Sequence, residues 1–297
     1  MAPLLFTRGL KPKATKGAGS ALDYCSDQMS DVEFSLSIAG IGVVVRCSDA
    51  LLAAELQQRY LEFPAADVAQ LTAEVHLTGQ LRTTALLDTG TTFHDGVLHF
   101  TAPGYEGFID EKAGEAQLRL SSAQPLEDVD YLLRVAYALL ALRAGGLLFH
   151  AAGIVRRGRG YLFFGHSGSG KTTVARLSLG DLVLNDDLVL LMPKGQRWVV
   201  HATPFWNPSQ IRPTCRSAPL AAMFRLVQDR EVYLEEMGRG EALAELVANV
   251  PVIPADPARS HKLLEVGRRL LRQVPIYRLH FLPDASFWRV VESSVGR

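Results

Sequence analysis

The sequence predicts an α/β domain over residues 126–297, a smaller β-rich α+β domain over residues 31–125, and a flexible arm over residues 1–30. Three observations carry this. A strand, a glycine-rich loop, a helix and a second strand can be read in order from Tyr161 to Met192. Short alternating apolar runs separated by turn residues fill residues 31–120. Residues 8–30 are polar, glycine-containing and basic at first, which suits a solvated arm, with a docking tail as the alternative.

Composition narrows the class. The 297 residues carry 31 Lys+Arg against 31 Asp+Glu, so no global charge favours nucleic acid or an anionic membrane. The three cysteines, Cys25, Cys47 and Cys215, match neither a metal pattern nor a disulfide framework. A reducing cytosol is therefore the expected compartment. No apolar run is long enough for a membrane span, and the most apolar helix, near Leu132–Leu142, is interrupted by Arg134. Residues 1–10 lack the apolar stretch of a signal peptide. The expectation is a cytoplasmic protein that engages neither nucleic acid nor membrane.

The elements follow in chain order. Phe34, Leu36 and Ile38 alternate, and Val43 and Val45 continue after Gly40 and Gly42, as in a hairpin. Residues 50–63 place Leu51, Leu52, Leu56 and Tyr60 on one helical face, with Pro64 as the stop. Ala73, Val75 and Leu77 make a strand. Asp95-Gly96 signals a hairpin turn, and Gly114 marks a second turn between two strands. His76, His94 and His99 lie on these strands at no ligand spacing, so they are read as surface or structural histidines. Residues 126–144 form a helix that is apolar around most of its circumference and so belongs between layers. Leu147–Val155 and Tyr161–Gly165 are strands joined by a tight basic turn at residues 156–160. Farther on, residues 197–202, 220–228 and 275–282 are strand-like. Residues 240–250 and 263–272 are helical, and Asp284 caps a last helix through Phe287, Trp288 and Val291.

Gly165, Gly170, Lys171 and Thr172 occupy the fixed positions of G-x-x-x-x-G-K-[ST], the Walker A phosphate-binding loop. Glycines at 165, 168 and 170 allow successive N–H groups to point inward at an anion. The nucleotide-binding residues are therefore Gly165, His166, Ser167, Gly168, Ser169, Gly170, Lys171, Thr172 and Thr173. Lys171 neutralises the outer phosphates of ATP, and the Thr172 hydroxyl ligates Mg²⁺. The following helix adds its N-terminal N–H groups, and Gly180 is expected to end it in a left-handed conformation.

Asp186 and Asp187 lie inside the next apolar strand, Leu182–Val189, where two carboxylates are costly to bury. A metal ion and phosphates at the strand end would remove that cost. One aspartate would hold Mg²⁺ and the other would take the proton of an acceptor hydroxyl. Asp186 is the base candidate and Asp187 the metal candidate, and the two roles are exchangeable. His201, Arg212 and Arg216, around a Pro/Trp-bearing loop, are candidates for substrate or phosphate contacts.

The run FHAAGIVRRGRGYLFFGHSGSGKTTVARL…LVLNDDLVLL resembles the catalytic domain of the HPr serine kinase/phosphorylase family. It is similar above all to shorter HPr-kinase-like proteins, some found in ribosomal-peptide tailoring. The more distant relation is ATP-dependent phosphoenolpyruvate carboxykinase. The resemblance is firm over residues 147–192 and does not extend to residues 1–125. It implies one active site built from His150, the Gly165–Thr173 loop and Asp186-Asp187, with His150 assisting at the γ-phosphate. It implies serine phosphorylation in a small protein or peptide and, since HPr kinases are hexameric, a homo-oligomer. No counterpart of the basic C-terminal substrate loop of HPr kinases is found, so phosphorylase activity is not carried over. The alternatives are a nucleotide-binding regulatory module with little transferase activity and a kinase of a small-molecule hydroxyl.

Overall fold

The computed structural model describes residues 31–79, 90–121, 123–206, 211–251 and 256–295. The expected arm and Cys25 lie outside the described residues. Residues from Asp31 onward form one unit, a mixed α/β arrangement of two sheets.

The first sheet has seven strands, ordered from one edge as the first, second, third, seventh, sixth, fifth and fourth in the chain. Strands β1 (Val32–Ile38) and β2 (Ile41–Cys47) form the expected hairpin, turning at Ala39-Gly40, both at positive φ. Helix α1 (Ala50–Tyr60), capped by the Asp49 side chain on the Leu52 N–H at 2.8 Å, crosses over to β3 (Ala69–Leu77). That crossover makes β2 and β3 parallel. Strands β4 (Gly90–His94), β5 (Val97–Ala102), β6 (Tyr105–Asp110) and β7 (Glu115–Leu120) form an antiparallel meander, with Asp95-Gly96 as its first turn.

Helix α2 (Pro125–Arg143) is the layer between this sheet and the next. It buries twelve residues and packs against β2 and β7 on one side and the strands at Leu147–Arg156 and Leu188–Lys194 on the other. Its Tyr137 hydroxyl donates to the carbonyls of Leu36 and Ile41, tying the helix to the first hairpin. A continuous apolar core runs from Leu36 and Val43 through α2 to Phe149 and Leu190.

The second sheet starts with β8 (Leu147–Arg156) and β9 (Arg159–Phe164), the hairpin anticipated before the glycine-rich loop. Helix α3 (Lys171–Leu177) follows, then β10 (Leu182–Asn185), β11 (Leu188–Lys194) and β12 (Arg197–Ala202). The long β13 (Ser217–Gln228) pairs with β12 and, in parallel, with β9. The pairings β8–β11–β12–β13–β9–β8 therefore close on themselves. Strands β14 (Tyr233–Glu236) and β15 (Ile276–Phe281) extend the sheet, separated by helices α4 (Arg239–Ala248) and α5 (Pro257–Gln273). Helix α6 (Phe287–Val295) closes the chain, and its Trp288 Nε1 donates to Ser178 Oγ at 3.0 Å. Among the described residues no helix is long and apolar enough to cross a membrane.

Two local expectations are corrected. Gly180 is not in the left-handed region; α3 ends at Leu177 with Ser178 as cap, and the buried Ser178 hydroxyl donates back to the Val174 carbonyl at 2.8 Å. The strand through the aspartates is not continuous either. It bends at Asp186-Asp187, between β10 and β11, because the Asn185 side-chain oxygen takes the N–H groups of Asp187 and Leu188, at 2.7 and 3.2 Å. A side chain that bonds its own downstream backbone replaces ladder bonds with a turn.

Gly153 sits in β8 opposite Leu162 on one side and Asn185 on the other. A Cβ there would lie 2.9 Å from Val189 Cγ1. Gly153→Ala is expected to cost about 1–3 kcal/mol in chemical denaturation. Combining it with Val189→Ala should recover part of that loss, and a double variant no more stable than the sum of the singles would refute the steric account.

Candidate functional site

The site forms where β9 leaves the sheet. The chain turns through Gly165–Gly170 into α3, whose N-cap, Gly170, has φ of 109°. A side chain at 170 would be strained by that angle and would also meet Phe281 of β15 at 2.6 Å. The loop is thus shaped by its glycines and braced from outside. Gln228, at the end of β13, donates to the Gly168 carbonyl at 2.9 Å.

Lys171 is buried and folds back over this loop, donating from Nζ to the carbonyls of Gly165 at 2.9 Å and His166 at 3.3 Å. Burial pulls its ammonium below the ordinary lysine range, and the Asp187 charge acts in the opposite sense. The loop, Lys171, Thr172 and Thr173 line a cavity of about 310 Å³ together with His150, Asp186, Asp187 and Gln228. The closed pairing of β8 with β9 and β11 brings His150 to the same place as the loop and the aspartate pair, which come later in the chain.

The two aspartates have different surroundings although they are adjacent. Asp186 is 1% exposed, and neither of its carboxylate oxygens has a hydrogen-bond partner among the described residues. Burial pushes its carboxyl above the ordinary range; the Thr172 hydroxyl approaches and opposes this without closing a hydrogen bond of normal geometry. Asp187 is half-buried and lies with Oδ1 2.9 Å from His150 Nε2. Burial alone would raise its carboxyl too. The His150 contact, with Arg134 and Lys171 farther out, outweighs that and holds it below the ordinary range.

No cluster of three His, Cys, Asp or Glu side chains suited to a metal is found among the described residues. The donors that are present fit Mg²⁺ nonetheless. That ion is commonly held by one or two carboxylates plus a nucleotide's phosphates and water, and Asp186 is an unpaired buried carboxylate beside a hydroxyl.

A family model described as "SynChlorMet cassette protein ScmC" matches residues 126–296, more than half of the chain. The chain belongs to this family. The description of the ScmC family names no reaction. No curated protein matches the sequence. Among solved structures, the Hpr(Ser) kinase/phosphatase from Coxiella burnetii aligns with 50% of this ScmC-family chain and 93% of its own, at 13% identity and a TM-score of 0.28. A likeness that distant says nothing about chemistry.

The cavity does not include His201, Arg212 or Arg216, the residues expected at a substrate. His201 is on β12, paired with Leu190 and Ser217, and it is mostly buried. Sequence reasoning passed over Asn185, whose Nδ2 also donates to the carbonyls of Thr203 and Phe205, each at 3.0 Å. The signal was present, since Asn before Asp-Asp is a turn former. Gln228 and Arg134 carried no such local signal.

Burial, aided by Lys194, lowers the His201 pKa to about 4. The unfolded chain therefore binds a proton that the folded chain refuses between the ordinary histidine value and pH 4, and stability falls as pH drops through that window. Relative to His201→Gln, the natural protein should lose on the order of 2–3 kcal/mol between pH 7 and 4. Parallel denaturation curves across that range would refute a neutral buried His201.

Proposed function

We propose that this ScmC-family chain is a Mg²⁺-ATP-dependent phosphotransferase that moves the γ-phosphate to a hydroxyl, serine in a small protein or peptide. The observation that carries this reading is the asymmetry of the aspartate pair in the cavity of the Gly165–Thr173 loop. One carboxylate is buried without a partner, and its neighbour is charged and held by His150.

The loop N–H groups and Lys171 bind the phosphates of ATP, Lys171 exchanging its loop carbonyls for phosphate oxygens. Asp186 and Thr172 would hold Mg²⁺, which when bound neutralises charge on the phosphates. This exchanges the two aspartate roles relative to the order preferred from sequence. Asp187, ionised and reachable from solvent, takes the acceptor proton. The hydroxyl oxygen bonds to the γ-phosphorus, the bond from that phosphorus to the bridging oxygen of ADP breaks, and the proton ends on Asp187. His150 fixes the orientation of Asp187 throughout.

The two aspartates should separate experimentally. Asp187→Asn is expected to bind Mg²⁺-ATP by calorimetry within about threefold of wild type and to lose phosphoryl transfer by roughly 10²–10⁴-fold. Asp186→Asn should weaken the Mg²⁺-dependent part of nucleotide binding. By removing an unpaired buried carboxylate it should also stabilise the protein without nucleotide by about 0.5–2 kcal/mol. Tight ATP binding with no labelled product from any acceptor would favour the regulatory module. Unchanged phosphoryl transfer in both variants would end the roles assigned to the two aspartates.

A further inference from the structure

A second cavity, of about 450 Å³, meets the first at Asp187. It is formed by Arg59 of α1, Asp130, Tyr131 and Arg134 of α2, and Trp206. We infer that this cavity is the acceptor site, and that it takes a hydroxyl compound bearing one carboxylate and one apolar or aromatic group. The inference rests on the phosphotransferase reading and assigns the face of Asp187 opposite the nucleotide loop.

The position argues first. Asp187 is the one side chain common to the two cavities, so a hydroxyl entering from the second reaches the carboxylate that faces the phosphates from the first. In-line transfer needs the attacking oxygen and the leaving oxygen of ADP on opposite sides of the transferred phosphorus, with the base beside the attacking hydroxyl. An acceptor entering past Asp187 would bring its hydroxyl there.

The charge argues for a carboxylate. Asp130 Oδ1 accepts from Arg59 Nε at 2.9 Å and from the Tyr60 hydroxyl at 2.8 Å, and its Oδ2 accepts from Arg134 Nε at 3.0 Å. Two guanidinium groups share this single saturated carboxylate, so the floor itself sets two fixed cations against one anion, with Arg134 also acting on Asp187 from farther away. Asp187 at the inner end is held first by its contact with His150, with Arg134 and Lys171 acting from farther out. Glu127, on the rim, is exposed and screened by solvent. A planar carboxylate is the anion that a guanidinium fork matches in shape.

The walls argue for the apolar group. Tyr131 is 49% exposed, and half-buried Trp206 and Leu126 also face the cavity. Arg59 Nη2 donates to the Trp206 carbonyl at 3.0 Å and so holds the aromatic wall against the charged floor. Such a pairing of rigid aromatic rings with an arginine floor is a common recognition surface.

The test uses the full chain, γ-labelled ATP and two acceptor sets: a degenerate serine/threonine peptide library, and small aromatic and aliphatic hydroxy acids with their matched amides. Wild type should prefer acceptors with a carboxylate and an apolar group by about tenfold over the amide-matched ones. Arg134→Gln should raise the acceptor KM about tenfold and erase the preference for acid over amide, with the KM for ATP unchanged. Trp206→Ala, at the cavity wall, should lose the apolar preference instead, which keeps the test open if Arg134→Gln folds poorly. Labelling confined to one set would identify the source of the acceptor. Labelling indifferent to the carboxylate, or a selectivity that survives both substitutions, would overturn the acceptor site alone. Binding of Mg²⁺-ATP with no label in either set would overturn the phosphotransferase reading, and the site with it.

Discussion

The arrangement of both cavities depends on the Asn185 side chain. Its oxygen takes the N–H groups of Asp187 and Leu188, and its nitrogen donates to the carbonyls of Thr203 and Phe205. Those bonds bend the strand so that adjacent aspartates leave the sheet with different exposures. They also anchor the segment that ends at Trp206, which walls the second cavity. The Thr203 hydroxyl completes the link by donating to the Leu188 carbonyl at 2.7 Å. A buried amide satisfied on both sides is a stiff joint, because loosening any one bond strands a desolvated group.

Helix α2 connects this joint to the rest of the molecule. Twelve of its nineteen residues are buried between the two sheets, and its one deeply buried charge, Asp130, is met by two arginines and the Tyr60 hydroxyl. A buried carboxylate with every lone pair answered is tolerable, whereas losing one partner from such a pair costs about 3–5 kcal/mol. The same network therefore holds α1 against α2 and sets the charged floor of the second cavity. Its Arg134 also adds to the field that keeps Asp187 ionised.

Asp186 and Asp187 show how neighbouring identical residues acquire different chemistry. Desolvation dominates at Asp186 and raises its carboxyl, and at Asp187 the basic neighbours overcome desolvation and lower it. Pairs of titratable groups whose environments push them apart are a recurrent basis for dividing labour in a site. On the proposed reading, one aspartate supplies charge to a cation and the other accepts a proton.

The elements of this fold were largely legible in the chain. Periodicity marked the strands flanking the Asp95-Gly96 turn and the apolar helix of residues 126–144, because local spacing is what periodicity measures. The loop of residues 165–173 was legible as well, since a tight backbone with positive φ at Gly165, Gly168 and Gly170 demands glycine in fixed places. Partnership across the chain was not. The closure of β8 and β9 through β13, the meeting of Arg59 with Asp130 and Trp206, and the different burial of two adjacent aspartates are set by which surfaces pack together. By itself the sequence determined the local elements and the glycine positions of the tight loop over residues 165–170. Only the tertiary structure decided which carboxylate lost its partners, because desolvation and charge depend on residues far away in the chain.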